Sequence, residues 1–426
     1  MKNVFETIEI APAVRLCSYE TDRFTTGRLS ISIAVPLVKK DASLNAMVPF
    51  LLNRSCKEYP SYIELNKKLA GLYGATLSPS LSKQGDNHIM RLTMSVLGNK
   101  FALDGEDIFL ECARLLFEVV FNPNILDGAF LESEVEQERR LAVERIRNEL
   151  NDKRQYALTR AIEEMFADEE YSAKINGTEK GIMAVTPKDL YDAYKKIIAG
   201  GRIQVNVTGS ANAAAVADLL ESYISKIDRE PYMLFTSVQY EAESVKRVEE
   251  ELPVNQGKLV LGFRAGMMDP DEDYPKIKVM TDLFGGGVHS RLFTVVREQM
   301  SLCYYCAARA FRNKGVIMVQ SGIENENAET AITEIQNQLK YLATSVTEED
   351  LTLSKRSLAD TYKTVCDTPE DIDSWLFSEF MDDELETPEE HTAKLLAVTL
   401  DDVKQAAANV TLDTIYLLRG TEGGEE

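Results

Sequence analysis

The sequence predicts an α+β protein made of a duplicated domain, two homologous halves enclosing a cleft. Stretches of alternating apolar residues and stretches of helical periodicity follow one another through the chain. The order strand, two helices, two strands, helix, long helical region, capped helix, strand occurs twice. The copies also keep register. Leu259 lies 228 residues after Ile31, and Met318 lies 228 after Met90, while Thr399 lies only 213 after Thr186. The second copy is therefore shorter between its last strand pair and its final helix. Two long copies make a duplication rather than a solenoid. The expected division is 1–228 for the first half, a charged connector over 229–255, and 256–426 for the second half. Clefts between domains are favoured ligand sites.

Each element has a local reason. Leu29, Ile31, Ile33, Val35 and Leu37 share one face of a half-buried strand. A helical run follows from about Ser43 to Asn53, and Leu65, Leu69 and Leu72 stripe the next, with Gly74 beyond its end. Met90 to Val96 alternate as a strand, and Ile108, Cys112, Leu116 and Val119 mark a helix. Glu132 to Phe166 is charged and helical, with no Pro or Gly to break it. Thr186-Pro187 reads as an N-cap followed by proline at the first helical position. Ile203 to Val207 is a strand and Ala211 to Ile227 a helix. In the second half, strands are expected at Leu259–Phe263, Cys303–Arg309, Val316–Gln320 and Thr414–Leu418. Helices are expected at Tyr274–Phe284, Ser290–Met300 and around Ile332–Leu342.

Composition narrows the function classes. With 44% apolar and 27% charged residues the chain is an ordinary globular one. Its net charge of −22 argues against nucleic acid and anionic membrane as partners, since both call for a basic patch. No apolar run approaches the roughly 20 residues of a membrane span. Acids near the N-terminus, where a signal peptide carries an apolar core, point to a cytoplasmic location. Six scattered cysteines suggest reduced thiols rather than a disulfide framework. Eleven Asp or Glu and no Lys or Arg fall between Cys366 and His391. That run reads as a solvated helical face, or more sharply as an acidic wall that attracts basic peptides.

The chemical inventory is thin. His88, His289 and His391 stand at no metal-ligand spacing. Cys303-Tyr-Tyr-Cys306 matches C-x-x-C, but in a strand-like stretch with no second pair. Gly285-Gly286-Gly287 lacks the Walker lysine, and close backbone packing explains it more simply. No G-x-S-x-G occurs. The glycines open a short helix with Ser290 or His289 near its N-cap and Leu292, Val295, Val296 and Met300 as its buried stripe. Arg297 ends that helix and Tyr304 begins the next segment. A guanidinium fork and a phenol hydroxyl can together hold a peptide backbone. Spacing alone assigns them more simply as a solvated helix end and a sheet-face aromatic.

Asp273-Tyr274 before a helix, Leu283-Phe-Gly-Gly-Gly, Ser290-Arg-Leu-Phe, and Arg297-Glu298 followed by Leu302 and Tyr304 together resemble the C-terminal domain of the insulinase, pitrilysin and mitochondrial processing peptidase family. Gly177-Thr-Glu-Lys-Gly181, Thr186–Ala193 and Val205–Gly209 extend the resemblance to the first half. The resemblance implies α/β-roll halves and zinc peptidase chemistry through an inverted H-x-x-E-H motif. The matching residues are Pro49-Phe50-Leu51-Leu52-Asn53, so both histidines and the catalytic glutamate are missing. The third zinc ligand belongs in the Glu138–Ile146 region, where Glu144 or Arg145 takes the position.

The resemblance therefore implies no catalytic residue, no metal ligand and no cofactor in this chain, with zinc held by a homologous partner subunit. It assigns Arg297 and Tyr304, seven residues apart, to substrate binding, and so places the chain as the non-catalytic subunit of a heterodimeric zinc peptidase acting on peptides or small precursors. The alternative is an inert scaffold or peptide-binding module.

Overall fold

The computed structural model describes residues 4–267 and 270–421. The chain forms two compact units, and each is discontinuous in sequence. The first comprises residues 1–147, 173–235 and 364–387; the second comprises 148–172, 236–363 and 388–426. Each half of the duplication thus lends one segment to the unit built mainly from the other half.

The first unit is organised by a six-stranded mixed sheet in the order Phe5–Ala11, Val14–Glu20, Arg202–Gly209, Thr26–Pro36, Asn87–Leu97, Thr76–Gln84. The second has five strands in the order Cys303–Phe311, Val316–Ile323, Gly257–Arg264, Thr411–Gly420, Lys246–Leu252. The two orders correspond strand for strand, apart from the extra edge strand Phe5–Ala11. In both sheets the single parallel pairing joins the last strand of the repeat to the strand beside it, Val14–Glu20 in one and Lys246–Leu252 in the other. The 213-residue offset is structural as well. Thr186 with Asp189 and Thr399 with Asp402 form the same reciprocal capping box at the start of the helix that precedes the final strand of each copy's sheet.

The expected strands and helices are present with shifted ends, and the structure adds elements that the pattern did not signal. Phe5–Ala11, Val14–Glu20 and Thr76–Gln84 are strands, and the charged connector contributes the strand Lys246–Leu252. The continuous helix expected over 132–166 is two helices, Glu132–Asn148 and Lys153–Met165. Asp152 ends the interruption by capping the second helix, its carboxylate accepting from the Gln155 amide at 2.9 Å. No proline or glycine is needed there, because the carboxylate satisfies a helix-start amide that would otherwise continue the first helix. The break is also where the chain passes from one unit to the other.

The apolar face of the first sheet packs on the unit's helices through Leu29, Ile31, Val205, Met94, Phe109 and Leu116. Its opposite face is polar and nonetheless buried, because the borrowed helix Pro369–Ser378 covers it. Asp373 is the anchor. One carboxylate oxygen accepts from Ser30 Oγ at 2.7 Å and Asn206 Nδ2 at 3.2 Å, and the other lies 2.7 Å from Arg91 Nη2. Arg15 donates to Gln204 and to the Glu379 carbonyl, each at 2.7 Å. Arg28 reaches Glu370 and Arg202 reaches Asp383. The acidic run between Cys366 and His391 is therefore not a uniformly solvated face: several of its acids complement the arginines on the back of the first sheet.

The second sheet receives its borrowed helix, Lys153–Met165, differently. Ala157, Ala161, Met165 and Phe166 form an apolar layer with Val260, Val316, Met318 and Tyr416. A carboxylate still marks the junction: Glu250 accepts from Tyr156 at 2.6 Å and Tyr416 at 2.7 Å and pairs with Arg160. No helix among the described residues is long and apolar enough to cross a membrane. All six cysteines are unbridged.

Two consequences are measurable. Replacing Asp373 with Ala strands the partly buried Arg91 guanidinium and two buried polar side chains, so unfolding in urea should show a loss of about 3–5 kcal/mol; a change below about 1 kcal/mol would remove Asp373 from its anchoring role. His88 is fully buried on the strand Asn87–Leu97, and desolvation lowers its pKa to about 4. The unfolded chain takes up this proton near pH 6.5 and the folded chain resists it. Stability from this residue is thus present above pH 6.5 and is lost as pH falls toward 4. His88→Phe should flatten the decline in melting temperature between pH 7 and pH 4.5 relative to the parent.

Candidate functional site

The stretch Gly285–Cys306 concentrates backbone irregularities. The helix Pro270–Gly285 ends hard against the edge strand Cys303–Phe311. A Cβ on Gly285 would lie 2.5 Å from the Ala308 amide nitrogen, and one on Gly286 would lie 2.4 Å from Asp282 Oδ1, so only glycine fits. The expected helix after it is a π-helix, Leu292–Gln299. The Met300 amide donates five residues back to the Val295 carbonyl at 2.9 Å, and the Leu302 amide reaches the Val296 carbonyl at 3.1 Å. Ser301 then takes a left-handed conformation with φ of 52°. The strand that follows bulges between Cys303 and Tyr305, leaving Tyr304 without an opposite residue.

These irregularities set the side chains. The wider π turn keeps Leu292, Val295 and Val296 buried but carries Met300 out of the expected stripe to 41% exposure. Arg297, on the last π turn, projects to solvent with its guanidinium over the Phe293 ring at 4.6 Å and 3.4 Å from Glu298 Oε1. Tyr304, turned out by the bulge, is 64% exposed and donates to Glu324 Oε1 at 3.2 Å. Arg297 and Tyr304 make no hydrogen bond to each other among the described residues. Each is paired with a glutamate, Arg297 with Glu298 and Tyr304 with Glu324, and each places its polar end at the protein surface.

The bulge also places Cys303 and Cys306 on one buried face of the strand beside Ser321. Hydrogen bonding from Cys306 lowers the Cys303 thiol to about 7, with Arg297 contributing, while Cys306 is pushed well up.

One constellation was invisible in sequence. His289 Nε2 and Ser354 Oγ both meet Asp282 Oδ2, at 2.8 and 2.6 Å. The residue types are those of a hydrolase triad, but the order is wrong. The carboxylate sits between the other two, and Ser354 is fully buried and donates to the acid rather than to the histidine. The trio fastens the glycine hinge to the helix Glu348–Lys363.

In the first unit the structure brings the degenerate zinc-motif region together with the Glu138–Ile146 region. Pro49 lies inside the helix Ala42–Leu52 and Asn53 caps its end. The Arg145 guanidinium stacks over Phe50 at 3.7 Å and donates to Glu138 Oε1 at 2.6 Å. Arg54 approaches the other Glu138 oxygen at 3.7 Å and also pairs with Gln137. Ser55 donates to Glu134 at 3.0 Å. Desolvation raises the pKa of both Glu134 and Glu138. This donor set does not fit zinc: two guanidinium cations occupy the neighbourhood of the carboxylates, and a proline and an asparagine, Pro49 and Asn53, stand where imidazoles are required. No cluster of three or more His, Cys, Asp or Glu among the described residues is arranged to hold a metal.

The fold and these two regions define a class, that of M16-like peptidase folds made of two similar halves. Residues 184–358 match the sequence profile of the family described as Peptidase M16 inactive domain. The chain is 32% identical over 406 residues, 95% of each chain, to the probable inactive metalloprotease YmfF of Bacillus subtilis. The structure resembles that of a conserved protein from Enterococcus faecalis, with TM-score 0.87 and 24% identity over 99% of this chain and 100% of that one. It also resembles a peptidase M16 inactive domain from Pseudomonas fluorescens, with TM-score 0.79 and 17% identity over 99% of this chain and 100% of that one. The chain belongs to the M16 peptidase family.

The arginines beside the zinc-motif region lead to an ordered expectation. Pro49→His with Asn53→His should bind zinc weakly or not at all by isothermal titration while Arg145 remains. Adding Arg145→Glu should create micromolar or tighter binding. Equal zinc affinity with and without Arg145 would show that its charge does not govern the site.

Proposed function

We propose that this chain is the non-catalytic, substrate-binding subunit of a heterodimeric zinc metallopeptidase that cleaves peptides or small precursor proteins. The observation that carries this reading is the pair of exposed donors, Arg297 and Tyr304, held on a π-helix and a β-bulge. π turns and bulges interrupt regular hydrogen bonding and recur where a side chain is aimed at a ligand. A zinc-bearing homologous subunit supplies the metal and the general base. Arg297 and Tyr304 orient the scissile carbonyl and donate to its oxygen as negative charge develops there, the situation in which preorganised donors count most. Six free thiols fit a reducing compartment, in keeping with a cytoplasmic protein.

The test is reconstitution with a zinc-bearing M16 homologue from the same genome. Arg297→Ala should lower kcat about 100-fold, and Tyr304→Phe about 10- to 100-fold, with the complex intact by size-exclusion chromatography. Unchanged turnover in both variants would end the assignment of these residues. A stable assembly with no peptidase activity in any such mixture would establish the inert scaffold instead.

A further inference from the structure

The second unit contains a cavity of about 670 Å³ that the Arg297/Tyr304 pair does not line. Its distinguishing feature is a wall of five consecutive residues, Ala307 to Phe311. They belong to the edge strand of the five-stranded sheet. Consecutive residues of a strand point to opposite faces, so a cavity touching all five runs along the strand's edge rather than over one face. An edge strand presents outward N–H and C=O groups at alternate positions, which pair readily with an added extended segment.

The cavity's charge is unlike that of the chain as a whole, whose net charge is −22. Arg154, Lys278 and Arg309 line it, against Asp152 and Asp282. Both carboxylates are already engaged. Asp152 caps the helix Lys153–Met165, and Asp282 is held by His289 and Ser354. Arg154 donates to Gln320 at 3.2 Å and lies over the Tyr305 ring at 4.4 Å.

Lys278 and Arg309 have no ion pair or hydrogen-bond partner among the described residues. Lys278 is half-buried, and desolvation lowers its pKa against the pull of Asp282. An ammonium partly withdrawn from water with no carboxylate in ion-pair contact is costly, and a ligand carboxylate would relieve that cost. Thr281 adds an independent sign. It is 4% exposed, it lines the cavity, and its Oγ1 has no hydrogen-bond partner. A buried hydroxyl of this kind is normally satisfied, so its partner is expected from a ligand.

We infer that this groove binds an acidic peptide as an added strand along Ala307–Phe311, with the peptide's carboxylates received by Lys278, Arg309 and the Thr281 hydroxyl. The inference rests on the peptide-binding reading above and gives its substrate a chemical class. Tyr304 stands on the same edge strand three residues upstream, so a peptide paired with Ala307–Phe311 extends toward the outward donors.

Fluorescence anisotropy on the isolated full chain tests the inference without a partner subunit. The probes are a fluorescein-labelled nonapeptide with two glutamates and a free C-terminal carboxylate, its twin with glutamines and an amidated end, and the acidic peptide N-methylated at alternate residues. The acidic peptide should bind at least 10-fold more tightly than the neutral twin, and N-methylation should weaken it by a similar factor. Lys278→Met with Arg309→Gln should abolish the acidic preference, leaving the neutral peptide's affinity and the melting temperature unchanged.

Equal affinities for the acidic and neutral peptides, or a preference that survives the double substitution, would overturn the anion site. Insensitivity to N-methylation would overturn strand addition. These outcomes are separable from the subunit assignment, because Arg297→Ala and Tyr304→Phe are read by turnover in the reconstituted complex and leave the acidic preference untouched.

Discussion

The buried carboxylate of Asp373 is the interaction on which the first unit depends. It gathers Ser30, Asn206 and Arg91 from three strands of one sheet. A sheet face lined with Arg15, Ser30, Ser32, Gln204 and Asn206 cannot be buried by an apolar helix without leaving donors unsatisfied. The segment that covers it must bring acceptors, and an acidic segment with exposed carbonyls does so. The second unit reaches the same arrangement by burying alanines and a phenylalanine against an apolar sheet face. Two copies of one domain have thus kept their topology while the chemistry of the covering contact diverged.

The Arg297/Tyr304 stretch shows how irregular backbone can be stable. The π turn, the left-handed Ser301 and the bulge at Tyr304 each give up regular hydrogen bonding or favourable dihedrals. They are held by Leu292, Val296 and the jammed contact of Gly285 with Ala308. The Asp282, His289 and Ser354 trio pins the hinge from beneath. Rigid surroundings of this kind let two solvent-facing side chains keep a defined direction.

In the first unit positive charge stands beside the region that matches the zinc motif. Arg145 and Arg54 neutralise Glu138, which would otherwise be a buried lone carboxylate. The region is a structural ion pair stacked on Phe50. Such a region resists the introduction of a metal, because a cation stands beside the positions a metal would need.

Amphipathic periodicity, helix caps and the repeated order of elements are local properties, so the α+β class, the duplication and most strand and helix positions were legible in the residues alone. Thr186 and Thr399 announced the same capped helix because a cap is made within four residues. The missing histidines at Pro49 and Asn53 were equally plain. Tertiary structure decided what depends on distant partners. Whether the polar face of a strand is wet or covered is set by a segment more than 150 residues away, as Asn206 and Asp373 show.

The break at 149–151 reflects which unit each helix packs in, and helix propensity does not encode that. In the stretch from Gly285 to Cys306, the residues alone read Arg297 as a helix end and Tyr304 as a sheet-face aromatic, and placed Met300 in a stripe of ordinary helical period. Only the packed backbone, with its wider turn and its bulge, turned Met300 out and aimed the arginine and the tyrosine into solvent.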